Sequence, residues 1–125
     1  MNLSALLGRR GERAARRFLR KKRGHRILAA NYACHIGEID LITLDGDTIV
    51  FVEVKTRSSD ERSQPFEAVG WQKRRRIEMA ARYYLTQTRA QDLPCRFDVV
   101  SIVWPAKGSP TIEHFENAFR PHGLF

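Results

Sequence analysis

The chain is expected to form an α/β domain, a mixed central sheet flanked by helices in the order α-β-β-β-α-β-β. Three observations carry that expectation. Two stretches repeat apolar residues at helical spacing, and between and after them lie extended runs rich in β-branched residues. The string Asp45-Gly46-Asp47 joins two of those runs and is a strong tight-hairpin signal. No internal repeat, low-complexity tract or linker divides the 125 residues, so residues 1–125 are read as a single domain with one core.

The first helix is expected over Ser4 to Arg23, ended by Gly24. At about 100° per residue, Leu7, Gly11, Ala14, Phe18 and Leu19 gather on one side. Arg9, Arg13, Arg16 and Arg20 gather on another, and Glu12 falls at the edge of the apolar stripe. Strands are expected over Arg26 to Ala33, Glu38 to Leu44 and Thr48 to Thr56. A polar loop follows from Thr56 to Gln64, then a short turn from Pro65 to Gly70. The second helix runs from Trp71 to Thr88, with Ile77, Ala80, Ala81, Tyr84 and Leu85 on its apolar side. Pro94 precedes a fourth strand, Arg96 to Val103, and Thr111 to Phe115 make a fifth.

Composition narrows the partners. Lysine and arginine number 22 against 14 aspartates and glutamates, a formal +8 with a pI near 10.2, which favours polyanions and nucleic acid first. Cys34 and Cys95 are far apart and form neither a disulfide framework nor a zinc motif, so a reduced cytoplasm is the expected setting. No apolar run approaches the roughly 18 residues of a membrane span, and the apolar start Met1 to Leu7 is too short and wrongly flanked for a signal peptide.

The hairpin carries the chemistry. Asp40 and Glu53 sit within runs that otherwise read as buried strand, and a lone buried carboxylate costs several kcal/mol without compensation. Side chains alternate along a strand, so Phe51, Glu53 and Lys55 share one face while Val50, Val52 and Val54 share the other. A two-residue Asp45-Gly46 turn sets Asp40 opposite Phe51, and a four-residue loop sets it opposite Glu53. A three-residue loop puts the two carboxylates on opposite faces, so a shared site requires an even loop or a compensating bulge. Two carboxylates and an ammonium on one face suit a hard divalent cation, Mg²⁺ or Mn²⁺, beside a phosphodiester. Glu12 joins them if the first helix packs over the hairpin.

These residues resemble a family. Asp40 followed by Glu53-Val54-Lys55 on the adjacent strand is the D…(D/E)xK pattern of restriction-endonuclease-like nucleases. The wider string is Gly11-Glu12, Asn31, Gly37-Glu38-Ile39-Asp40-Leu41, Phe51 through Arg57, Lys73 and Arg96-Phe97-Asp98-Val99-Val100. It is similar to the YraN-like family of small bacterial proteins, and the layout resembles the archaeal Holliday-junction resolvases. The resemblance implies a restriction-endonuclease-like fold and a metal-dependent endonuclease acting on DNA, branched or single-stranded forms included. It implies Glu12, Asp40 and Glu53 as metal ligands with the Val54 carbonyl beside them, and Lys55 as the catalytic lysine. Ile39 stands before Asp40 where many such nucleases have proline.

Nucleic-acid contact is expected from Arg9, Arg13, Arg16, Arg57 and Lys73, the alternative for the arginine stripe being a solvated helix face. The loop from Thr56 to Gln64 would also meet the substrate, and a homodimer would present two sites. Glu38 shares the site face, and Asp98 is either hydrogen-bonded near the site or part of the fourth strand's framework. Of His25, His35, His114 and His122, none has metal-ligand spacing, and only His35 lies beside the hairpin; Trp71 and Trp104 read as core or edge aromatics. Two other functions compete: a nucleic-acid-binding module that does not cleave, and an assembly factor whose basic surface meets an acidic protein.

Overall fold

A computed structural model describes residues 3–59 and 70–121. Helix α1 (Leu3–Lys22) leads into strands β1 (Arg26–Ala33), β2 (Glu38–Asp45) and β3 (Thr48–Ser58). Helix α2 (Trp71–Gln87) then precedes β4 (Cys95–Trp104) and β5 (Thr111–Phe119). The strands form one five-stranded sheet in the order β1-β2-β3-β4-β5. Only β3 and β4 run parallel; the other three neighbouring pairs are antiparallel, so the sheet is mixed as expected. Among the described residues, no helix is long and apolar enough to cross a membrane.

Each helix covers one face. Ala15 and Leu19 of α1 pack with Leu41, Val50, Val52, Val100 and Ile102. Ile77, Ala80, Ala81 and Leu85 of α2 pack with Ile39, Ile42, Phe51, Phe97, Val99 and Phe119. The alternation expected along β3 is therefore observed, with Phe51 on the α2 side and Val50 and Val52 on the α1 side. The helix stripes shift slightly. Ala15, unmarked by periodicity, is fully buried, whereas Leu7, Ala14 and Phe18 are half-buried; Glu78 is buried within α2.

Several boundaries move. Gly24, at φ 70°, takes the left-handed conformation that ends α1. Strand β5 extends to Phe119 rather than Phe115. Strand β3 runs on through Thr56, Arg57 and Ser58, paired with Ile102, Val103 and Trp104, so the expected loop does not begin at Thr56. Its portion over residues 60–64, and the turn expected from Pro65, lie outside the described residues.

Asp98 belongs to the framework. It is fully buried, accepts from Arg96 Nε at 3.0 Å and from the Asn117 N–H at 3.1 Å, and lies 2.7 Å from His114 Nε2. Burial alone would raise its pKa, but these hydrogen bonds and the guanidinium charge hold it below the ordinary aspartate value. Arg96 also reaches Asp45 at 2.9 Å, tying the β2–β3 turn to β4 and β5. His25 is buried against Thr43 Oγ1 at 2.9 Å, its ring 5.8 Å from that of His114. His35 stacks edge-on against Tyr83 and so belongs to the packing around α2.

Removing Asp98 leaves Arg96 without its buried counter-charge. Asp98→Ala is expected to cost about 3–5 kcal/mol of folding stability, read by urea denaturation at neutral pH.

Candidate metal centre

The hairpin register decides where the carboxylates go. The loop is the two-residue pair Gly46-Asp47, one position later than the expected Asp45-Gly46, and Gly46 has a φ of 63°. With glycine first in the turn, the strands twist correctly into a tight hairpin. Asp45 then pairs with Thr48, Leu44 with Ile49 and Leu41 with Val52. Extended by one step, this register sets Asp40 opposite Glu53, the arrangement foreseen for the longer loop.

The paired ladder stops at Leu41 and Val52. Beyond it the Asp40 side chain takes over a backbone role, as the Val54 N–H donates to Asp40 Oδ2 at 2.7 Å. Asp40 is thereby fixed between the strands, facing Glu53, which is 7% exposed. Burial first, and the neighbouring Glu53 charge second, raise the Asp40 pKa to about 7, against the pull of the Val54 hydrogen bond and the Lys73 charge. Lys73, from the first turn of α2, places its ammonium on Glu53 Oε1.

Glu12 and Lys55 complete the surroundings. A cleft of about 340 Å³ is lined by Glu12, Glu53, Val54, Lys55, Thr56 and Lys73, with Leu7 and Gly8 at its edge. The approach of α1 to β3 depends on Gly11, because a Cβ there would collide with the Thr56 side chain. Glu12 feels both partners: burial first, then the Asp40 charge, push its pKa up, while a hydrogen bond from Asn31 and the Arg16 charge pull it down. Glu38, exposed at the start of β2, adds a further upward push.

Thus Asp40 and Glu53 converge, while Glu12 and Lys55 border the same cleft. Among the described residues, no three His, Cys, Asp or Glu side chains are gathered into a ready-made metal cage. The donor set nevertheless fits a hard divalent cation. It is all oxygen, burial and the facing Glu53 charge push the Asp40 pKa up to about 7, and a lysine ammonium already rests on Glu53.

Two residues were under-read from sequence. Lys73, read from its place in the family-like string as facing the site and contacting nucleic acid, does face the site, where it has an acidic partner in Glu53. Asn31 carried no assigned role, yet it sits in β1 at φ 53°, between the pairs Ala30–Leu41 and Tyr32–Ile39, and donates toward Glu12. Asparagine tolerates the left-handed region better than most residues. That property, at a non-glycine position inside an apparent strand, is the only local hint the sequence offered. Arg57 lies half-buried within β3 rather than in a loop. Trp71 is 62% exposed at the start of α2, and the Trp104 ring lies beneath the Arg10 guanidinium at 4.2 Å.

Comparison with other proteins gives a consistent picture. Residues 11–102 match the model of a family described as "Uncharacterised protein family UPF0102". A UPF0102 protein of Pelotomaculum thermopropionicum is 44% identical over 115 residues, covering 91% of this chain and 95% of the relative. Similar proteins occur in Geobacter metallireducens, at 46% identity over 113 residues (90% and 91% covered), and in Chlorobium limicola, at 45% over 118 (90% and 91%).

Two outcomes follow from this geometry. A carboxyl whose pKa is raised on folding contributes stability that is full below its unfolded pKa and is lost as pH rises through the folded value. For Asp40 that window runs from its ordinary value of 3.8 up to about 7. In EDTA, Asp40→Asn is therefore expected to equal or trail wild type near the acid end and to exceed it above neutrality, as measured by denaturant unfolding across the range. Separately, Gly11→Ala is expected to lower stability by roughly 1–3 kcal/mol by forcing α1 away from Thr56. Thermal unfolding of that variant tests the close approach.

Proposed function

The chain belongs to the UPF0102 (YraN) family of small bacterial proteins, and on that premise we propose that it is a metal-dependent nuclease that hydrolyses phosphodiester bonds of DNA. The observation that carries this reading is the Asp40–Glu53 pair: two facing carboxylates at a hairpin end, one of them with a pKa raised to about 7. Structural carboxylates are ordinarily paired so that their charge is favoured, as Asp98 is; perturbation in the opposite sense at a cleft marks functional sites.

Asp40 and Glu53, with Glu12 at the border, are the groups that would hold Mg²⁺ or Mn²⁺. Such an ion, when bound, supplies Lewis acidity at the scissile phosphate and makes a neighbouring water more acidic. Lys55 shares the cleft with Glu53 and carries a positive charge toward the same space. Its role is to orient the attacking water and to offset the negative charge that grows on the phosphate oxygens. Lys73 balances Glu53 from the other side, and would be free to meet a phosphate if a cation took over that charge. The Val54 N–H holds Asp40 in place throughout. Branched and single-stranded DNA are the substrate classes proposed.

A second reading has its own observation. The Lys73–Glu53 ion pair, together with the lack of a ready-made three-carboxylate cage among the described residues, also suits a module that binds nucleic acid without cutting it.

Cleavage of labelled linear, single-stranded, flap and four-way-junction DNAs, in Mg²⁺, Mn²⁺ or EDTA, separates the two. Wild type is expected to give metal-dependent products, and Glu53→Ala and Lys55→Ala to lose at least about a hundredfold in rate. Binding without products under every metal would establish the second reading; products that survive both substitutions would place the site elsewhere.

A further inference from the structure

Beside the carboxylate cleft lies a second concavity, a groove of about 370 Å³ between α1 and β1. Arg9, Arg13 and Arg16 form its α1 wall, Ala30 and Asn31 its β1 wall, and Leu41 of β2 contributes to the lining. Glu12 borders both this groove and the cleft that holds Glu53, Lys55 and Lys73, so the two concavities adjoin. Arg20, the fourth arginine of the stripe, is exposed and does not line it.

We propose that this groove is a subsite for the sugar-phosphate backbone of a single nucleic-acid strand flanking the cleft. The proposal rests on the nuclease reading for its orientation, because it places the strand's neighbouring phosphates on the α1 side of Glu12. Three features carry it. First, Arg9, Arg13 and Arg16 follow one another at spacings of four and three residues, about 6 Å and 4.5 Å along the helix axis. Like charges so placed repel and cost helix stability, so their clustering is not explained by the fold. Second, among the described residues none of the three makes an ion pair with a carboxylate, whereas Arg75 and Arg96 each find one inside the protein. Third, the groove has shape: its far wall is the stretch of β1 where Asn31 turns into the left-handed region, at φ 53°.

Asn31 also fixes the border of the groove. Glu12 lies close enough to Arg16 to feel its charge, and the Asn31 hydrogen bond engages the Glu12 carboxylate at the border between groove and cleft. A phosphodiester strand matches what remains: a row of guanidinium donors able to grip successive phosphates and indifferent to base identity.

The test is binding of a fluorescein-labelled 16-nucleotide single-stranded DNA in EDTA, where cleavage cannot intervene, over a range of salt. The variant Arg9→Gln/Arg13→Gln/Arg16→Gln is compared with Arg20→Gln/Lys21→Gln/Lys22→Gln, which loses the same charge from the same helix outside the groove. Each single-strand phosphate contact adds about 0.7 to the slope of log affinity against log salt. The groove variant is expected to lower that slope by about 2, so that raising salt from 50 to 200 mM weakens it about twentyfold less than wild type; the control changes clearly less. Arg13→Gln alone is expected to lower the slope by about 0.7, which keeps the test decisive if the triple variant folds poorly.

Equal losses in both triple variants would mean bulk charge and overturn the proposal. An unchanged slope in the groove variants, or a wild type that does not bind the strand, would overturn it too. The nuclease reading stands or falls separately: metal-dependent cleavage with no groove effect removes the subsite alone, and a groove effect without cleavage removes the nuclease alone.

Discussion

The structure turns on a crowding of negative charge at the end of one hairpin. Where the β2–β3 ladder stops, the Asp40 carboxylate replaces a backbone acceptor for the Val54 N–H, and this fixes it against Glu53. Neither side chain can retreat, since one is tied to the backbone and the other is almost wholly buried. Burial first, and the facing Glu53 charge second, disfavour the ionised form, and the Asp40 pKa is pushed up to about 7. The two helices meet this constraint from opposite faces. Helix α1 brings Glu12 to the cleft because Gly11 lets its backbone approach Thr56, and α2 brings the ammonium of Lys73 to Glu53.

The contrast between Asp40 and Asp98 shows why this crowding is informative. Both are aspartates shielded by the sheet, and burial pushes both toward the neutral form. Asp98 is surrounded by donors, namely Arg96, His114 and the Asn117 N–H, and its charged form wins. Asp40 has one backbone donor and an acidic neighbour, and its neutral form is favoured. The Asp98 cluster is complete within the protein and reads as a tie between the β2–β3 turn, β4 and β5. The Asp40 pair has the Lys73 ammonium on Glu53 as its one ion pair among the described residues, and an all-oxygen pair beside a cleft is a donor set of the kind a hard divalent ion accepts.

Most of the architecture was legible in the sequence because each signal was local. Alternation in β3, the Asp-Gly turn and the 3.6-residue spacing of Ile77, Ala80, Ala81 and Leu85 all report near-neighbour physics, and the element order followed from them. Errors fell where the deciding contact is distant. The extension of β3 through Ser58 depends on pairing with β4, since Thr56 to Ser58 are polar and look like loop by themselves. The hairpin turn moved by one residue because Asp45 is held by Arg96, some fifty positions later, and remains in the strand. At the site, the shared face of Asp40 and Glu53 followed from parity. The ion pair between Lys73 and Glu53 did not, because nothing local tells which way the first turn of α2 points. The burial of His25 and His114 was hidden likewise, each being sheltered by elements remote in sequence.

The distribution of positive charge argues for where a polyanion would lie. The start of α2 is crowded with Lys73, Arg74, Arg75 and Arg76, near a helix terminus where cations are disfavoured. Three of the four are occupied from within: Lys73 by Glu53, Arg75 by Glu78 at 3.6 Å, and Arg74 over the Phe119 ring at 5.4 Å. Those three are therefore explained by the fold and the site. On α1, Arg10 lies over the Trp104 ring, whereas Arg9, Arg13 and Arg16 make no ion pair with a carboxylate among the described residues and line a groove rather than a convex surface. A surplus of eight positive charges gives long-range attraction without direction. Direction comes from guanidinium groups gathered along one groove, Arg9, Arg13 and Arg16 on α1, one carboxylate away from the cleft.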